Sequence, residues 1–482
     1  MSTSPSSAVA PDFATSTVAK PERMLDGFPW ISAIVLYTLS WGWSLLRPNT
    51  LYWDDWAVNF NKPKFYMWHY VRSVGRPPWS DLIETFLLPY GAWTVRLLSF
   101  LMFFVVGLFL FEILKSVTFL TTPNLRAISL LFVIIPVNHA RISLVIFDYS
   151  SSYFLFFLGW FLLVRYRSKR CFILSWLVLF LSLKTHSLLF FMLLPFLHFI
   201  WLNKTEVLRL RKLNFLHVGA LAIAFMPVLY LGLRQIFWHP ISAWTGYQTF
   251  SISGARRGLV FFVPLVFGFI WLLICKQFNK KISHGLMLFC FGSVIMALAL
   301  LPYFSGNFLR EYISIIAYRT DWGNRHLMLM PLGLAISMVG LNELFNWKQT
   351  NIVLYSVVLI SLVTNLAVSS GYYLDSLKKD EMIVLLQDLS ELNSESEIVL
   401  IDETKIFNGR GATYRDYELA GLLSLSGHRA KVISGKRTCN TFPNGKQFTL
   451  KSDKSYLKAL LSRDLGLYFD VTPCSEVLAK DS

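Results

Sequence analysis

What most constrains this chain is a succession of long apolar runs with few charges. A bilayer's hydrocarbon core is about 30 Å thick, so a helix needs about 20 mostly apolar residues to cross it. Such runs fall at 28–46, 95–114, 127–147, 153–164, 171–183, 187–202, 215–233, 258–275, 285–301, 325–341 and 351–370. Only helices and closed barrels satisfy their backbone in lipid, and these runs do not alternate as barrel strands do. The expected fold is mainly α: a polytopic transmembrane helical bundle of about eleven spans.

The distribution of charge predicts how the bundle is oriented. The formal charge is +16, although only 15% of residues are charged. With the N-terminus inside, the tail 1–27 and the alternate short loops hold 16 Lys and Arg against five acids. The positive-inside tendency therefore favours a cytoplasmic N-terminus, and the positive charge is read as topology, with no nucleic-acid partner. The tail lacks the basic region and cleavage site of a signal peptide, so the first span is read as a retained anchor. An odd span count puts the C-terminus outside. Beyond residue 370 the composition changes: residues 371–482 hold 15 Lys and Arg and 16 acids. Helical periodicity at 373–389, 414–425 and 455–463, with short apolar runs at 397–401, 430–434 and 466–471, predicts a small extracytoplasmic α/β domain. It contains Cys439 and Cys474, which form either a disulfide, if the compartment is oxidising, or two buried thiols.

Four constellations in the membrane part (28–370) hold chemistry-bearing side chains. The long first external loop, 47–94, opens Leu51-Tyr52-Trp53-Asp54-Asp55-Trp56. Adjacent carboxylates among aromatics suit a general base or a divalent cation such as Mg or Mn, and Tyr52, Trp53 and Trp56 suit stacking on a sugar or an interfacial belt. The same loop continues through Arg76 in a Gly-Arg-Pro-Pro turn. The third span ends Pro136-Val137-Asn138-His139-Ala140-Arg141 and leads to Asp148; ionisable groups at this depth are either functional or paired. Lys184 and His186 form a basic turn suited to a phosphate, or a plain polar turn. Arg325 and His326 begin a late span, where the guanidinium either holds a phosphate or snorkels to the interface.

Taken in this order, these features resemble the GT-C class of integral-membrane glycosyltransferases. The Asp54-Asp55 pair followed by Gly75-Arg76-Pro77 looks more narrowly like the serotype-converting glucosyltransferases of bacterial O-antigen. The resemblance covers roughly 28–341. It implies that Asp54 or Asp55 is the base or a metal ligand, and that Lys184, His186, Arg325 and His326, with Arg141, grip the donor phosphate. Tyr52, Trp53, Trp56, Arg76, His139 and Asp148 would contact substrate. Thr185 stands where many members of the class have Glu, and His326 where Tyr is usual.

The implied activity is an inverting single displacement. It moves a hexose, expected to be glucose, from a polyprenyl-phosphate donor to a lipid-linked or lipopolysaccharide glycan outside the bacterial inner membrane. No cofactor is required by this reading beyond the possible divalent cation, and membrane lipids are the surrounding partners. A lipid-linked glycan flippase would use the same basic groove without making a bond. A polymerase or ligase would depend on Arg256, Arg257, Arg310 and Arg319 instead.

Overall fold

The computed structural model describes residues 24–56, 78–166, 168–183, 186–203, 215–237, 284–305, 327–344, 351–389, 397–404, 406, 413–428, 431–434, 439 and 445–481. The helices ahead of the C-terminal region are α1 (Trp30–Trp41), α2 (Pro78–Leu87), α3 (Ala92–Lys115), α4 (Thr122–Ile134), α5 (Phe147–Arg165), α6 (Lys169–Ser182), α7 (Leu193–Leu202), α8 (Phe215–Ala224), α9 (Met226–Phe237), α10 (His284–Ser305), α11 (Met330–Leu344) and α12 (Ile352–Asp388). The C-terminal region adds β1 (Glu397–Asp402), α13 (Asp416–Leu425), β2 (Lys431–Ser434), β3 (Lys446–Ser452), α14 (Tyr456–Ser462), β4 (Leu467–Pro473) and α15 (Cys474–Asp481). The fold is mainly helical with one small sheet.

Among the described residues three helices are long and apolar enough to cross a membrane: α3, the stretch Leu144–Arg165, and α12. Shorter apolar helices are α4, α7, α11 and the His284–Leu300 part of α10. Ile31, Ile34 and Val35 on α1, and Leu359, Ile360 and Val363 on α12, are exposed although apolar. Apolar surface on this scale is costly in water and natural in lipid.

Several expected spans take a different form. The run 127–147 is not one helix: α4 stops at Ile134, and residues 135–146 follow as a largely buried irregular segment with short 3-10 turns. Pro136 lacks a backbone donor, and Asn138 sits in the left-handed region at φ 66°, so neither continues a helix. Non-helical backbone at such depth is tolerated only where protein or a water-filled cavity surrounds it. The run 153–164 is longer than expected, because helix α5 begins at Phe147 and takes in the polar Asp-Tyr-Ser-Ser-Ser stretch. Ser151 Oγ satisfies itself by donating to the Phe147 carbonyl at 2.8 Å. The run 215–233 divides at Phe225, ahead of Pro227, into α8 and α9. The run 258–275 lies outside the described residues.

Helix α12 changes the domain picture most. The expected span 351–370 and the expected soluble helix 373–389 form one helix of 37 residues, about 55 Å long. Its later half packs into the C-terminal domain, whose four-stranded sheet has the order β2-β1-β3-β4. Strand β1 is parallel to β2 and β3, and β4 closes antiparallel on β3, with Phe448 opposite Val471. One apolar cluster joins this domain to the first loop and the starts of α3 and α5: Leu377, Leu386, Ile398 and Leu422 pack with Leu51, Trp56, Val95 and Phe147. Cys439 and Cys474 are joined by a disulfide, their Cα atoms 5.1 Å apart.

Helices α10 and α11 meet through glycines. A Cβ on Gly292 would lie 2.5 Å from the Gly333 carbonyl and 2.6 Å from the Ser337 nitrogen; both contacts are with backbone, which cannot yield. Gly292→Ala is therefore expected to destabilise by about 1–3 kcal/mol, the usual cost of overpacking. At Gly371, among the described residues, only the Tyr456 hydroxyl lies within reach, at 3.9 Å. Gly371→Ala should be neutral or slightly stabilising. Thermal unfolding of the two variants in detergent checks both.

Candidate functional site

The site begins in a tight turn. Asp55 Oδ2 accepts the Tyr52 amide at 3.0 Å, and the Asp55 amide returns to the Tyr52 carbonyl at 3.0 Å. The intervening Trp53 is forced to φ 51°, a strained geometry for a bulky residue. Burial of its indole, 2% exposed, holds it there. The two neighbouring acids consequently meet different surroundings.

Asp55 turns inward. Its Oδ1 accepts the Ser143 hydroxyl and the amides of Leu144 at 2.7 Å and Val145 at 3.3 Å. Its Oδ2 also pairs with Arg96 Nη2 at 3.3 Å. Arg96 in turn donates Nε to the Ile142 carbonyl at 2.9 Å and its two Nη groups to the carbonyls of Pro48 and Thr50. Burial pushes the Asp55 carboxyl up from its ordinary range, opposed by Arg96, by Ser143 and by the amides of Tyr52 and Val145. With 0% exposure and five donors on two oxygens, Asp55 is an internal counter-ion. The expected catalytic role for this residue is corrected accordingly. The acidic pair does not fit a divalent cation either, since protein donors already fill the Asp55 oxygens.

Asp54 faces the C-terminal domain. Its Oδ1 accepts Arg415 Nη1 at 3.2 Å and the Tyr417 hydroxyl, and Oδ2 has no partner among the described residues. A quarter of its side chain (26%) remains exposed. Of the pair, only Asp54 offers an oxygen to an incoming group.

The aromatics expected to stack on a sugar are instead core. Tyr52, Trp53 and Trp56 are 2–3% exposed: Tyr52 and Trp53 pack with Ala140, Ile142 and Tyr372, and Trp56 packs in the cluster shared with the C-terminal domain. The Tyr52 ring is flanked by two cations, the Arg96 guanidinium at 5.0 Å and Lys379 Nζ at 4.6 Å. His139, also expected at the substrate, is buried: its Nε2 lies 3.0 Å from Asn365 Oδ1 on α12, and Asn365 donates to the Ile134 carbonyl at 2.8 Å. Asp148 sits in the first turn of α5, buried, with its carboxylate on the Tyr149 amide at 3.0 Å. These residues hold the irregular segment 135–146 in place.

Arg141 differs from them. Its guanidinium lies 3.2 Å from the Trp41 ring centroid and 4.3 Å from that of Phe103. Nη2 is buried without a hydrogen-bond partner among the described residues, as are both amide atoms of Asn138. Arg141 and Asn138 line a cavity with Tyr153, Met328 and Pro331, the last two at the start of α11 just after Arg325 and His326. Arg141 lines a second cavity with Arg96. The structure thus brings Arg141 beside the Asp55–Arg96 pair on one side and the head of α11 on the other. Arg76, Lys184, Arg325, His326 and the side chain of His186 lie outside the described residues.

Sequence reasoning missed Arg96, counted only as a charge, and missed Arg415 and Tyr417 altogether. No family model matches the chain, and no curated protein matches it.

The two acids separate experimentally. Asp55→Asn leaves the Arg96 guanidinium buried without its counter-charge and should cost about 3–5 kcal/mol of stability. Asp54→Asn breaks a partly exposed pair and should cost at most about 1 kcal/mol. Unfolding of both variants under identical detergent conditions measures the difference.

Proposed function

We propose that this protein is an integral-membrane glycosyltransferase that moves a hexose from a polyprenyl-phosphate donor to an extracytoplasmic glycan. One arrangement supports it above the rest: Asp54 Oδ2 has no partner among the described residues, and its neighbour Asp55 pairs with Arg96, which lines a cavity with Arg141, whose Nη2 is likewise without a hydrogen-bond partner among the described residues. Asp55 and Arg96 neutralise each other. A carboxylate base and a guanidinium cation are what transfer from a phosphate donor requires.

In this reading the acceptor hydroxyl gives its proton to Asp54 as its oxygen attacks the anomeric carbon. The bond from that carbon to the phosphate oxygen breaks on the opposite face, which inverts the centre. The lipid phosphate leaves with the bonding pair and an added negative charge. Arg141 stabilises that charge, with Lys184, His186 and Arg325 as further cations from the sequence, so no general acid is needed. Asn138 offers its amide to the same cavity. No step passes through a metal ion.

For orientation, we place the N-terminus in the cytoplasm and the C-terminal domain outside the bacterial inner membrane, with about eleven spans. The apolar cluster shared by the first loop and the C-terminal domain supports one side for both. The Lys and Arg bias of the alternate loops supports the cytoplasmic assignment of the others.

Two substitutions test the activity with purified protein and radiolabelled polyprenyl-phosphate glucose. Asp54→Asn should lower transfer about a hundredfold or more, the scale of losing a general base. Arg141→Gln should lower kcat/KM for the donor about ten- to a hundredfold, the worth of a charge-assisted contact of about 1.5–3 kcal/mol. Full activity in both variants, or donor flipping across vesicles without any transfer, would refute the assignment.

A further inference from the structure

The C-terminal domain does more than sit on the first loop. Arg415 Nη1 donates to the Tyr417 hydroxyl at 2.8 Å, and both residues donate to the same oxygen of Asp54. Their side chains project from the start of α13, where the Arg415 amide is capped by the buried Glu418 carboxylate at 2.9 Å. Just before them, the Tyr414 hydroxyl donates to Asp375 Oδ1 at 2.6 Å, and Asp375 pairs with Lys379 at 2.7 Å on the next turn of α12. Lys379 lies over the Tyr52 ring, and Tyr52 belongs to the turn that presents Asp54. The contacts therefore close a circuit: acidic turn, long helix, head of α13, and back to Asp54.

The stability of the fold does not account for the contact at Asp54. The side chains of Arg415 and Asp54 are 38% and 26% exposed, and an ion pair this wet adds little to folding. Docking of the domain already rests on the apolar cluster around Leu377 and Leu422. What the two donors do accomplish is directional: they occupy Oδ1, while Oδ2 has no partner among the described residues. Burial and the neighbouring Asp54 charge hold the Tyr417 hydroxyl protonated, well above the usual phenol range, so it stays a donor.

We propose that Arg415 and Tyr417 are positioning residues for Asp54, fixing Oδ1 so that Oδ2 meets the acceptor hydroxyl. The C-terminal domain is then part of the transferase centre. This rests on the reading of Asp54 as general base. The opposite role, a plug that occupies Asp54 until acceptor displaces it, predicts the opposite kinetics.

The test uses the full-length protein in nanodiscs, with radiolabelled polyprenyl-phosphate glucose as donor and lipopolysaccharide as acceptor. Tyr417→Phe and Arg415→Ala should each lower kcat at least tenfold while donor KM stays within twofold, and Arg415→Lys should recover part of the Arg415→Ala loss. Lys451→Ala, which breaks an unrelated surface pair with Asp470 in the same domain, should leave kcat unchanged. Should Arg415→Ala fail to fold, Tyr417→Phe alone decides, since it removes one hydroxyl and keeps the ring. If Asp54→Asn is inactive but Tyr417→Phe and Arg415→Ala turn over at the wild-type rate or faster, the positioning role is overturned and the base assignment stands. If the wild-type chain transfers from no donor, both fall together.

Discussion

The buried pair of Asp55 and Arg96 is the constraint on which the rest of this structure depends. A guanidinium at the start of a membrane-type helix, 3% exposed, is costly unless its charge and its donors are all answered. Here one carboxylate answers the charge, and the carbonyls of Pro48, Thr50 and Ile142 answer the remaining donors. Those acceptors come from two segments separate in sequence, the first loop and the irregular segment after α4. Satisfying one arginine therefore ties loop, segment and helix together, and leaves Asp54 as the acid that faces outward.

The irregular segment 135–146 follows the same logic. Its left-handed Asn138 and its 3-10 turns expose backbone amides, and two of these, at Leu144 and Val145, bind Asp55. A regular helix through these residues would have consumed both amides internally and left the carboxylate short of donors. Breaking the helix also leaves the Arg141 side chain in an aromatic cavity, where it has rings rather than anions as neighbours. One local irregularity thus supplies a structural anion site for Asp55 and holds a second guanidinium, whose Nη2 has no hydrogen-bond partner among the described residues.

Much of this was legible in the sequence and some was not, for identifiable reasons. The long helices announce themselves because 24 residues such as Ala92–Lys115 carry few charges over a length that could cross a bilayer. The strands at 397–401 and 466–471 were readable as short apolar runs. Strand β3 was not, since only Phe448 and Leu450 alternate among Lys446, Gln447, Thr449 and Lys451, too few to raise a period above the background. The break at Asn138 was masked by the apolar residues around it, although Pro136 was visible. The acidic pair was found, but its division of labour depends on partners far along the chain: Ser143 is 88 residues from Asp55, and Tyr417 is 363 residues from Asp54. Adjacent residues of one type carry no local signal of such different surroundings.

The unbroken course of α12 has a mechanical consequence. Nine residues separate Ser370, near the end of its exposed apolar face, from Lys379 against the Tyr52 ring; at about 1.5 Å per residue that is a stalk of about 14 Å. With no joint between the apolar half of α12 and the sheet, the acidic turn is held at a set distance from that half. Such a stalk acts as a rigid spacer: the exposed apolar face and the acidic turn keep one separation.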